Sequence, residues 1–194
     1  ISEFPKETRS ILEFASCVGF QSAHSILGAA TYLNMEQIER ALQPATALGL
    51  IRTDGHTCQF AHDAVREYVR KTLDRDQRTA LHARIARSML QAGAGSTDQH
   101  LAVAEQIVKA KYDPILLEHA AIAVEALYQG AQIAKTVGAP EGALRYAEKG
   151  IELIALADVP ASYVWDFAEP RCTLLVEIYG AAVDDAELDS LRSV

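Results

Sequence analysis

Hydrophobic positions over the first fifty residues fall into helical spacing three times, then switch to alternation. Ile11, Leu12, Ala15 and Val18 follow a helical period that ends at Gly19. Pro5 suits the first turn of that helix, where a missing N–H costs nothing. Ser22 reads as the N-cap of a second helix that buries Ile26, Leu27 and Ala30. Asn34 with Gln37 three residues on is a capping-box variant. It opens a third helix burying Ile38, Ala41, Leu42, Ala45 and Leu48 and stopping at Gly49. Pro44 inside that pattern is expected to kink the helix or split off its last turn. Ile51 and Thr53 then alternate with Arg52, and Cys58 and Phe60 with Gln59. That is the period of a half-buried hairpin, turning at Asp54-Gly55, where Gly accepts the positive φ that the turn requires.

A helix opens directly after the hairpin on His62-Asp63, its apolar side marked by Val65, Tyr68, Val69 and Leu73. Asp74 with Gln77 caps the next, which turns Leu81, Ile85 and Met89 inward and Arg75, Arg78, Arg84 and Arg87 outward. Gly93-Ala94-Gly95-Ser96 is the most linker-like point of the chain. Beyond it every pattern is helical. Leu101, Ala104 and Val108 mark a short helix, and Asp113-Pro114 starts a long one that Gly138 closes. Pro140 opens another through Ala143, Leu144, Ala147, Ile151 and Ile154. Pro160 starts a third, interrupted by Pro170, and Asp184-Asp185 a last short one. Small residues at Ala120, Ala121, Ala131, Ala134, Ala143 and Ala147 would let antiparallel helices approach closely.

Three helices and a hairpin in some sixty residues make a unit of winged-helix size. The fold class expected is therefore mainly α: a winged helix with one small β-hairpin over 1–72, followed by an α–α superhelical array over 73–194. GAPEGALRYAEKGIELI (138–154) resembles the second helix of a tetratricopeptide repeat, with Ala143 as its small contact residue. Leu127, Gly130, Ala131 and Ala134 fall where the first helix of such a repeat makes its contacts. A following copy at Asp185-Ala186-Glu187 comes ~40 residues later against the usual 34. The pattern is that of a divergent superhelix, and an ordinary helical bundle would satisfy the same positions.

Composition narrows the setting. Of 194 residues 49% are hydrophobic and 23% charged, ordinary for a globular protein with a real core. No apolar run reaches the ~18 residues of a membrane helix, and residues 1–20 lack a signal-peptide layout. The chain opens on Ile1-Ser2-Glu3 without a Met, so a piece of something longer is expected. Cys17, Cys58 and Cys172 are scattered and odd in number, which suits reduced thiols in a cytoplasmic protein. Residues 1–61 carry net −2, residues 62–87 net +3 and residues 88–194 net −9. The acidic second half would repel nucleic acid and anionic membrane, so only the arginine-rich stretch could attract an anion. Arg66, Arg70 and Arg78 form the candidate anion or partner patch there; the alternative is the solvated side of amphipathic helices.

Phe60-Ala61-His62-Asp63-Ala64-Val65-Arg66-Glu67-Tyr68 resembles the winged-helix end of STAND-type signal-transduction ATPases, the class of the NB-ARC proteins and MalT-like regulators. Their Met-His-Asp motif also begins a helix after the wing, with Phe60 here in place of the Met. FPKETRSILEFASCVGF, ALQPATALGLI and RTALHARIARSML are similar to flanking helices of that family, and 97–191 to the tetratricopeptide-like region of large ATPases fused to kinase modules. The resemblance implies that His62 reaches the β-phosphate of ADP in the closed state, with Asp63 capping its helix. An imidazole N–H beside orphan helix amides suits phosphate oxygens. Alternatively, His62 packs at the strand-to-helix junction and Asp63 is a plain N-cap. No two glycines here are spaced as G-x-x-x-x-G, so the segment itself carries no phosphate loop and no cofactor. ADP or ATP would belong to the parent protein, whose upstream nucleotide-binding domain would be the partner.

The remaining chemistries are weaker. A winged helix suggests DNA, but the third helix would be its reader and holds Glu36, Glu39 and only Arg40, with Arg52 on the wing. His24, His56, His82, His100 and His119 lack paired metal spacing. Cys58 and His56 would share a strand face without a third ligand. No Ser/His/Asp or Cys/His arrangement is present, so no catalytic residue is assigned. Trp165 and Tyr163 near Pro160 are a candidate peptide spot, or anchors of the last helices. The expected role is a non-catalytic regulatory and protein-interaction segment of a STAND-like ATPase, with a winged-helix DNA-binding or adaptor module as the alternative.

Overall fold

In a computed structural model the described residues are 3–92, 97–110, 117–157, 166–167, 171 and 173–174. The described chain is mainly helical with one small antiparallel sheet. It divides into two compact units, Ile1–Met89 and Leu90–Val194. That division falls between residue 72, the expected end of the unit of three helices and a hairpin, and the linker-like Gly93–Ser96 stretch.

The first unit runs α1 (Lys6–Val18), β1 (Gln21–Ala23), α2 (His24–Thr31), α3 (Met35–Ala47), β2 (Ile51–Thr53), β3 (Thr57–Phe60), α4 (Asp63–Lys71) and most of α5 (Arg75–Ala92). The sheet has the order β1-β3-β2, with Ser22 opposite Cys58 and Ile51 opposite Phe60. The hairpin of β2 and β3 forms where the alternation placed it, with Ile51, Cys58 and Phe60 buried but Thr53 exposed, and a third strand joins the other side of β3. Ser22 belongs to that strand and caps nothing. Its buried hydroxyl donates to the Ala15 carbonyl at 3.4 Å, and α2 starts at His24 without a side-chain cap. Ile11, Leu12, Phe14, Leu27, Ile38, Leu42, Ile51, Phe60, Val69 and Ile85 make one core.

Both capping boxes form. Asn34 Oδ1 accepts from the Gln37 N–H and Gln37 Oε1 from the Asn34 N–H, each at 2.9 Å. Asp74 and Gln77 exchange the same pair at 2.7 and 2.9 Å. Pro44 does not split α3, which runs through it to Ala47. The helix ends because Gly49 takes φ 67 and donates to the Thr46 carbonyl, while the Leu50 N–H returns to the Ala45 carbonyl. Leu48, expected inside, is therefore past the last turn and 67% exposed. Tyr68, expected on the apolar side of α4, is 61% exposed, and Val69 alone of that helix is fully buried.

The second unit contains α6 (Thr97–Lys109), α7 (Ala120–Thr136) and α8 (Pro140–Leu156). Residues 137–139 join α7 to α8, with Gly138 at φ 74, and Pro140 stands in the first turn of α8 as expected. Val103, Ala104 and Ile107 form the buried side of α6, one position round from the predicted Leu101 and Val108. Ala120, Ala131, Ala134, Ala143 and Ala147 are buried, but Ala121 faces outward. Gly130 lets α6 and α8 approach α7: a Cβ there would lie 2.8 Å from Ala104 Cβ and 3.5 Å from the Tyr146 ring. Phe167 is buried and meets Tyr128 edge-on at 5.8 Å. Positions 93–96, Asp113-Pro114, Pro160, Tyr163, Trp165, Pro170, Cys172 and Asp184–Glu187 lie outside the described residues. No described helix is long and apolar enough to cross a membrane.

Candidate functional site

The junction of β3 and α4 is held from three sides. Phe60 is fully buried, its N–H donates to the Phe20 carbonyl at 3.0 Å, and the Ala61 N–H donates to the Leu50 carbonyl at 2.9 Å. The chain then turns outward, so that His62 takes the N-cap position of α4 with extended φ −145 and ψ 147. Its carbonyl accepts the Val65 and Arg66 N–H groups at 3.0 and 3.4 Å, while its side chain makes no capping bond. The imidazole is exposed on a fixed backbone, free to meet another surface.

Asp63 is not the N-cap that sequence suggested. It occupies the first helical position, 65% exposed, with Oδ1 2.9 Å from Arg66 Nε in an ion pair that lacks hydrogen-bond alignment. A carboxylate in the first turn of α4 is stabilised by the helix dipole. Arg66 also reaches Glu67 at 3.0 Å, and Arg70 reaches the other Glu67 oxygen at 3.1 Å. Two carboxylates thus balance two guanidinium groups, and Arg66 and Arg70 present little uncompensated charge. Arg78 donates to the Asp74 carbonyl at 3.3 Å. Arg70 and Arg78 both bear electrostatically on the buried Cys17 thiol. Burial pushes that thiol up, against the Ser16 hydrogen bond and the two cations. Cys58 is pushed up by burial to about 12.

The groove between α3 and the hairpin tip, about 650 Å³, is where a winged helix would meet DNA. Glu36 and Glu39 line it, and its Arg40 is held by Glu36 at 2.6 Å. His56 lies in the turn rather than on the strand beside Cys58, its N–H bound to Asp54 Oδ1 at 2.9 Å. Among the described residues no three His, Cys, Asp or Glu side chains group as metal ligands.

Two arrangements went unseen in the sequence. Arg84, expected in solvent, stacks 4.6 Å from the Phe14 ring centroid and donates to the Ala30 carbonyl at 2.6 Å, so it caps the C-terminal end of α2. Arg87 reaches the Tyr32 hydroxyl at 2.7 Å. In the second unit the buried Tyr146 hydroxyl donates to Glu105, whose other oxygen meets Lys109 at 2.6 Å. Burial raises the Tyr146 phenol and Glu105 raises it further. Burial would also raise Glu105, but the Lys109 and Tyr146 hydrogen bonds outweigh it and leave the carboxyl below its ordinary value. Only the i, i+4 spacing of Glu105 and Lys109 signalled any of this.

Comparison with protein-family models, with curated proteins and with solved structures finds no match to this chain.

Proposed function

We propose that the chain is a non-catalytic regulatory and protein-interaction segment of a larger STAND-like signalling ATPase. In this reading residues 1–72 act as a winged-helix subdomain and residues 73–194 as a tetratricopeptide-like array. One observation carries it: His62 stands exposed and uncapped at the start of α4 while the backbone around it is tied into the core. A histidine so held can donate to a phosphate oxygen of ADP bound in an upstream nucleotide-binding domain, at a helix start where orphan amides favour anions. Asp63 then orients the turn through its pair with Arg66 and does not cap it. Release of that contact when the nucleotide changes would free the two domains, and the helices that follow would pass the change to a protein partner in the cytoplasm.

The DNA-binding reading is disfavoured by the two carboxylates and the internally paired Arg40 in the groove beside α3. Calorimetric titration of the full chain with the parent's nucleotide-binding domain separates the two. Docking is expected with ADP loaded, and at least tenfold weaker for His62→Ala, which melts like the wild type because the side chain is exposed. Docking indifferent to both ADP and His62, or a salt-sensitive affinity for duplex DNA with no docking, would sink the proposal.

A further inference from the structure

The turn between α2 and α3 carries a cluster that the reading of His62 does not use. Tyr32 is its centre, 74% exposed at the C-terminal end of α2 with φ 61, and no other non-glycine among the described residues has a positive φ. A tyrosine in the left-handed region carries backbone strain, and such strain gathers at functional positions. Helix α5 meets this residue with two guanidinium groups. Arg87 donates to the Tyr32 hydroxyl at 2.7 Å, and the Arg84 guanidinium carbon lies 5.9 Å from the Tyr32 ring centroid while it stacks on Phe14. Both arginines are half-buried. Neither pairs with a carboxylate among the described residues, whereas Arg40, Arg66 and Arg70 all do.

Two guanidinium groups whose acceptors are a neutral hydroxyl and a neutral carbonyl leave positive charge unbalanced at this turn. A phosphoryl group on Tyr32 Oη would balance it at the atom Arg87 already touches, replacing a neutral hydrogen bond with charge-assisted ones. Phosphate near a helix C-terminus is ordinarily opposed by the dipole, but Arg84 already covers the Ala30 carbonyl at that end of α2. We propose that Tyr32 is a phosphorylation site whose phosphate is received by Arg87 and Arg84, so that the modification fastens α5 to the α2–α3 turn. In the transfer, Tyr32 Oη attacks the γ-phosphorus of a nucleoside triphosphate bound to a tyrosine kinase. The bond from that phosphorus to the β–γ bridging oxygen breaks, the phenolic proton passes to the kinase's base, and the nucleoside diphosphate leaves. The site involves neither His62 nor the second unit, so it stands or falls apart from the nucleotide latch.

The test has two arms on the full 1–194 chain. In the first, phosphotyrosine is installed at position 32 during translation. The melting temperature is expected to rise about 4 °C over the unmodified chain, and the phosphorus resonance to titrate below the ordinary second ionisation at about 6. Within an Arg87→Gln background both shifts should largely disappear. In the second arm, the unmodified chain is incubated with magnesium ATP and a broad-specificity tyrosine kinase, and its peptides are weighed by mass spectrometry. Phosphate is expected on Tyr32. An unchanged or lowered melting temperature with phosphate in place, shifts that survive Arg87→Gln, or no phosphate on Tyr32 after the kinase overturns the proposal.

Discussion

Asp54 illustrates how a single side chain sets a turn. Its Oδ1 accepts the His56 and Thr57 N–H groups at 2.9 and 2.6 Å, and its Oδ2 accepts the Thr57 hydroxyl at 3.1 Å. Gly55 beside it takes φ 86. Those backbone donors hold the Asp54 carboxyl down to about 2, against an ordinary aspartate value of about 3.9. A depressed carboxyl stabilises the fold fully above its unfolded value, and that contribution fades as pH falls towards 2. Urea titrations at pH 4.5, 3.5 and 2.5 should therefore show an acid-side loss in the wild type that shrinks in Asp54→Asn. An identical loss in both chains would remove Asp54 from the account. This residue was legible because its partners are two and three positions away. Arg84 was not, since its carbonyl partner at Ala30 lies 54 positions away and its spacing is that of a solvated arginine.

Among the elements, the packing of α6, α7 and α8 hangs on a missing side chain. Gly130→Ala would gain about 1 kcal/mol of helix propensity. The added Cβ, however, would sit 2.8 Å from Ala104 Cβ, which is bonded to backbone and cannot rotate away. Overpacking of this kind costs about 1–3 kcal/mol. Net destabilisation of up to about 2 kcal/mol is expected in chemical denaturation. Gly142→Ala is the control, its nearest neighbour 3.8 Å away at Ala134 Cβ, and it should be neutral or slightly stabilising. Gly130 was singled out in the sequence as a contact position of a helical pair. The predicted buried side of α6 was one position off because periodicity locates a stripe, and packing against α7 chooses which edge of it goes inside.

At the scale of the molecule, the division into residues 1–89 and 90–194 predicts separable cores. Leu42 and Leu127 are each fully buried, one in each unit. Replacing either with Ala should cost its own unit about 3 kcal/mol. Scanning calorimetry should resolve two transitions, Leu42→Ala lowering one and Leu127→Ala the other. One transition moved equally by both would show a single cooperative core instead.

The sequence alone determined what is settled within a few residues. The Asn34/Gln37 and Asp74/Gln77 boxes, the turn at Asp54-Gly55 and the stop at Gly49 each satisfy backbone groups with atoms close along the chain, and Pro140 starts α8 by lacking an N–H that would otherwise be orphaned. Tertiary structure decided the rest. Strand β1 pairs with β3 some 36 residues on, Arg84 caps α2, and Tyr146 meets Glu105 across 41 positions. Each of these needs a closed loop and a buried polar group seeking a partner. Local spacing carries no record of which partner burial will supply.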